Sequence, residues 1–205
     1  MENFGKNIGK WMALMVICCL YVVMPVMGQD IQQDIQEENH ENMFSDLDET
    51  EAHDVLSLLK QEDQFSIFME LIEKSGMEKS IREAEDITVF APTNEAFKDM
   101  TVRRYERIME PEDLMDVKNF VRAHIIPQRM MVADFQTDQA LEISENRHVR
   151  ISRGGGQGFA VPAVLNVGGA RVGRADILAS NGVLHVLNGV VRVEEEGFDP
   201  LVNPQ

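Results

Sequence analysis

Apolar positions recur at helical spacing in the first half of this chain and alternate, or run together in short bursts, in the second. Leu56 and Leu59 open a stripe that Phe65, Phe68, Met69 and Ile72 continue, which predicts helix over 55–74 with a break near Asp63. Lys74 falls in the last turn, and Gly76 suits the left-handed position that ends a helix. Residues 87–91 are apolar and β-rich, so they predict a short buried strand that Pro92 stops. Thr93 or Asn94 can cap the helical turn that follows, one turn into which Phe97 packs back onto the strand. Pro111, Glu112 and Asp113 predict a helix start, with Leu114, Val117 and Val121 on one face of a helix running to Ala123.

Beyond His124 the period changes to two. Residues 141–143 and 148–151 alternate, and Gly154, Gly155, Gly156 and Gly158 supply a flexible turn. Residues 163–167 and 170–172 flank Gly168-Gly169 as a hairpin. Asn181-Gly182 and Asn188-Gly189 are further turn signals enclosing a strand over 183–187. Helices first and hairpins second argue for an α+β fold rather than a parallel α/β one.

Charge divides the chain differently. The net charge of -16 over 205 residues is concentrated at the front. Residues 29–54 hold ten Asp and Glu and no Lys or Arg, a composition that predicts a solvated spacer over 29–53. The remainder is mildly acidic. Such a chain repels phosphates, so nucleic acid is not an expected partner. Residues 1–28 have the pattern of a secretory signal peptide: Lys6 and Lys10, an uncharged run from Trp11 to Met24, then Val26 and Gly28 before the cut. An uncleaved leader is the alternative, and only then is a membrane contact expected. Both cysteines, Cys18 and Cys19, lie in this leader, so the mature domain is expected to hold together without a disulfide. An acidic flexible tail is expected over 194–205.

Two segments carry a family resemblance. Thr88, Phe90, Ala91, Pro92, Thr93, Asn94 and Phe97 form one motif; Asp176, Asn181, Gly182, His185, Val186 and Gly189 form the other. Together they resemble the paired signatures of fasciclin domains, over about residues 54–193. The resemblance implies a wedge or sandwich of β-strands with helices packed at one side. It further implies a secreted or surface-held module that adheres to an extracellular protein, a matrix component or a like domain. In this resemblance a Tyr-His pair often stands between the signatures; here the place reads Ala123-His124, with the His and without the Tyr. Asn188 stands where Asp is common in the second signature.

No arrangement of residues nominates catalysis. The chain lacks Gly-x-Ser-x-Gly and His-Glu-x-x-His, and His40, His53 and His148 form no ligand spacing. His124 and His185 are expected to bond local backbone inside the core rather than to hold a metal. No cofactor is expected. The contact region is placed on the helix ending at Ala123 together with His124, Ile125 and Ile126. Arg103, Arg104 and Arg107 form a basic cluster suited either to a solvated helix face or to an acidic partner. A small apolar ligand, lipid or glycan is the alternative occupant of such a scaffold. Finally, Phe90, Phe97 and Val186 are expected to meet in one shared interior.

Overall fold

The computed structural model describes residues 43–44, 49–144, 147–154 and 164–195. The leader, most of the spacer, the turn beyond Gly154 and the tail beyond Glu195 lie outside the described residues.

Among the described residues, five α-helices precede most of the sheet. Helix α1 (Val55–Gln61) starts where the Asp54 carboxylate accepts the Ser57 amide at 3.0 Å. The expected break is real: Glu62 turns extended, and a 3₁₀ turn over Asp63–Phe65 leads into α2 (Ser66–Ser75). Helix α2 ends on Gly76 at φ 69°, a conformation glycine adopts without a Cβ clash. Helix α3 spans Glu78–Glu83, and α4 spans Val102–Met109 behind a Thr101 cap. Helix α5 covers Leu114–Ala123 rather than starting at Pro111, because the Asp113 carboxylate accepts the Met115 amide at 2.8 Å and fixes the boundary there.

The strands are β1 (Ile87–Pro92), β2 (Ile125–Ile126), β3 (Gln139–Ser144), β4 (Arg147–Gly154), β5 (Val164–Val167), β6 (Ala170–Ala179), β7 (Gly182–Leu187) and β8 (Glu194–Glu195). Their order is β2-β1-β7-β6-β5-β4-β3, with β8 added to β4. Among the described residues, all pairs are antiparallel except β1 with β7, which run parallel from Ile87 opposite Gly182 to Pro92 opposite Leu187. The two signature segments are thus neighbouring central strands, and all six residues of each are buried. A parallel pair buried on both faces reads as a continuous apolar run, as both segments do.

Because side chains alternate across a strand, these two strands divide the interior in two. Ile87, Val89 and Ala91 of β1, with Leu184 and Val186 of β7, join Leu56, Phe68, Leu71, Ile72 and Phe97 in a core beneath the helices. Phe90 and Leu187 face the other way, into a core with Phe135, Val149, Ile151 and Val167. The expected meeting of Phe90, Phe97 and Val186 is therefore corrected. All three are buried, but a one-residue offset along β1 places Phe90 in the second core. Each buried large apolar side chain contributes about 1.5–3 kcal/mol, so two such interiors sustain the fold without a cross-link.

Two boundaries also move. The compact unit begins at Met43, and Met43 and Phe44 are buried in the helix-side core rather than belonging to a solvated spacer. Phe44 stacks on Phe65 at 6.2 Å, and its amide donates to Glu62 Oε1 at 2.7 Å. At the other end, Glu194 and Glu195 pair with His148 and Arg147, so the sheet extends two residues past Val193.

Candidate functional site

The signature residues hold the fold together. Asn94 does not cap its own turn; Thr93 does, accepting the Ala96 amide at 3.4 Å. Asn94 instead reaches across 27 positions: its Oδ1 accepts the Ile67 amide at 3.0 Å, and its Nδ2 donates to Asp63 O at 3.0 Å and Ser66 Oγ at 2.9 Å. It therefore fastens β1 to the start of α2. Asn181 does the same for α1, accepting the Val55 amide and donating to Ile81 O. A Cβ on Gly182 would lie 2.1 Å from the Ile87 carbonyl oxygen, so the close start of the β1–β7 pair needs glycine. Gly189 is packed against Ala170 in a looser version of the same approach.

Both candidate histidines lie inside. His185 Nε2 donates to Met130 O at 2.9 Å, and its Nδ1 accepts the Asp176 amide at 3.1 Å. Asp176, at φ 58°, accepts the Val132 amide at 2.8 Å. His124 Nδ1 donates to Phe120 O at 2.8 Å, and its Nε2 accepts the Val191 amide at 3.3 Å. Each ring is neutral, with both nitrogens engaged by backbone. Burial is the main cause that pulls both pKa values below the usual histidine range, His124 to about 4. With Ala123 at 3% and His124 at 0% exposure, this part of the expected contact region faces the core. Ile125 and Ile126 are half-buried on β2.

The basic cluster fares differently. Arg103 and Arg107 are exposed on α4, and Arg104 is half-buried. Arg104 and Arg107, one helical turn apart, line an open cleft of about 310 Å³ between α4, α5 and the chain after β7; Arg103 does not. Arg192 and Arg147 complete its basic rim. Its floor is Ile108, Phe120, Ala123, Val191 and Val193, and Asn119 and Asp116 of α5 supply an amide and a carboxylate. Arg104 donates to Val191 O at 3.0 Å, which ties the cleft wall to the backbone above His124. Burial first, then the like charge of Arg192, holds the Arg104 guanidinium below the usual arginine range. Sequence reasoning missed Arg147, Arg192 and Asn119; only Asn119 lay on a helix face where spacing could have found it.

The fasciclin domain family model matches residues 63–193, and the chain belongs to that family. Over 138 residues it is 25% identical to transforming growth factor-beta-induced protein ig-h3 of Sus scrofa, covering 67% of this chain and 19% of the relative. Over 132 residues it is 26% identical to periostin of Homo sapiens, covering 63% of this chain and 15% of the relative. The chain thus spans less than a fifth of either relative. A solved FAS1 domain pair from the insect cell adhesion molecule Fasciclin I aligns with a TM-score of 0.47 at 22% identity, over 62% of this chain and 45% of that one.

Proposed function

We propose that the chain is an exported adhesion module that binds extracellular proteins or matrix components by surface contact, without catalysis. One observation carries this reading. Asn94, Asn181, His124 and His185, the polar residues that sequence inspection would nominate first, are all engaged with backbone groups of the fold. Recognition then falls to the surface they hold rigid, and among the described residues the α4–α5 face offers shape and charge together. Family membership points the same way. A rigid platform suits adhesion because little ordering entropy is lost on contact.

Immobilised protein should retain cells or matrix extract above a blank surface, and a variant carrying Arg103→Glu and Arg107→Glu should retain less while unfolding at the same temperature. Failure to retain either, together with a lipid found in the purified protein by mass spectrometry, would replace this reading with an apolar-ligand carrier.

A further inference from the structure

The cleft between α4 and α5 has a composition that surface contact alone does not call for. Three guanidiniums, Arg104, Arg107 and Arg192, converge on it from two separate stretches of chain, and Arg147, itself engaged within the fold, forms a fourth side. Among the described residues that line it, Asp116 is the one carboxylate, in a chain whose net charge is -16. Bringing Arg104 and Arg192 together while half-burying Arg104 is unfavourable by itself, since like charges in a partly desolvated site repel. A bound anion reverses that cost. Guanidinium forks match the planar carboxylate and the oxygens of a sulfate through paired hydrogen bonds.

Charge alone does not define the ligand. A simple polyanion meets two obstacles here. Asp116 stands in the lining and repels it, and the negative field of the whole protein repels a long, uniformly charged chain. A ligand that carries hydroxyls beside its acid group has a use for Asp116, which accepts from them, and for the Asn119 amide, which both donates and accepts. It also needs an apolar face to lie on Phe120 and Val193. The volume sits at the small end of the range of about 300–1,000 Å³ usual for small-ligand sites, which suits one or two rings rather than a peptide helix. We propose that this cleft binds an acidic saccharide: a sugar whose carboxylate or sulfate ester is held by Arg104, Arg107 and Arg192, with its hydroxyls on Asp116 and Asn119. This site deepens the adhesion reading by naming the chemistry that one of its partners would present.

The test is titration calorimetry of the purified full chain with tetragalacturonate and with a sulfated heparin tetrasaccharide. Neutral tetragalactose, tetraglutamate and inorganic sulfate serve as comparators. At least one acidic saccharide should bind, with an affinity that falls as salt rises. Arg107→Ser with Arg192→Ser should weaken it by about tenfold or more, whereas Arg103→Ser, on the same helix but outside the cleft, should leave it unchanged. Both variants should keep the parent's thermal unfolding profile, as exposed side chains permit. Tetragalactose binding equally well, tetraglutamate or sulfate binding as tightly as the saccharides, or no acidic saccharide binding at all would each overturn the proposal. Retention of cells or matrix measured in parallel separates the two readings: its persistence without saccharide binding removes only the saccharide, and its loss with saccharide binding intact removes only the adhesion.

Discussion

Asn181 and Val55 stand 126 positions apart and are joined by a 2.9 Å hydrogen bond from the Val55 amide to the Asn181 side chain. Val55 is the first residue of α1 and is fully buried, so its amide has neither water nor an intrahelical acceptor. The same side chain donates to Ile81 O at 3.1 Å near the end of α3. One turn residue of the sheet thereby fixes two helices to it.

Asn181→Ala removes both bonds and leaves a buried amide unsatisfied. The expected loss is about 2–3 kcal/mol, above an ordinary cap deletion because the orphaned group is desolvated. Urea unfolding at neutral pH reads it directly. A loss below about 0.5 kcal/mol would mean that the bond between the two segments is incidental.

Glycine substitutions separate contact from conformation. In Gly182→Ala the new methyl would meet the Ile87 carbonyl oxygen at 2.1 Å, and backbone cannot step aside as a flexible side chain can. The cost should reach about 3 kcal/mol, the upper end of overpacking. Gly169→Ala meets nothing within 4 Å but sits at φ 79°, so only backbone strain opposes it, about 1–2 kcal/mol. Equal effects in chemical denaturation would contradict the close β1–β7 approach.

Those two segments also show how far sequence reaches. Strand 87–91, the break at Asp63, the stop at Gly76 and the turn at Asn181-Gly182 were all legible, because each follows from local spacing and backbone chemistry. The parallel pairing of β1 with β7 was not, since nothing local records which distant strand completes a ladder. The target of Asn94 was hidden for the same reason: a cap is usually sought in its own turn, and here it serves a helix 27 positions earlier. Of the cleft, Arg104 and Arg107 were visible as a cluster on one helix, while Arg147 and Arg192 come from strands and connections that only the fold brings near.

Acid should weaken the fold through its buried imidazoles. His124 has a folded-state pKa of about 4 against an ordinary 6.5, so the unfolded chain takes up a proton that the native chain refuses. Stability is therefore full above pH 6.5 and declines as pH falls toward 4. By pH 5 the single ring accounts for about 2 kcal/mol. His185, also lowered, adds to the same decline. The lowered carboxyl of Asp54 contributes only further down, below its ordinary 3.8. Urea midpoints measured from pH 7 to pH 5 should fall, and in His124→Phe they should fall less steeply from a lower start. A pH-independent midpoint across that window would show that the rings are not held neutral.

The last expectation concerns where the domain starts. Composition places Met43 and Phe44 in an acidic spacer, yet their exposures are 1% and 4%, and Phe44 stacks on Phe65 at the turn between α1 and α2. Arg174 of β6 donates to Met43 O and lies over the Phe44 ring at 6.0 Å, so the segment is tied to sheet and helices alike. A charged segment can carry two core residues because burial depends on individual side chains, not on mean composition. Phe44→Ala should cost about 3–5 kcal/mol, the range for emptying a buried aromatic site. A chain beginning at Asp54 should lose at least as much, and one beginning at Met43 should match the full chain in thermal unfolding. If the chains beginning at 43 and at 54 unfold at the same temperature, the buried pair contributes nothing and the domain starts where the charge pattern alone would place it.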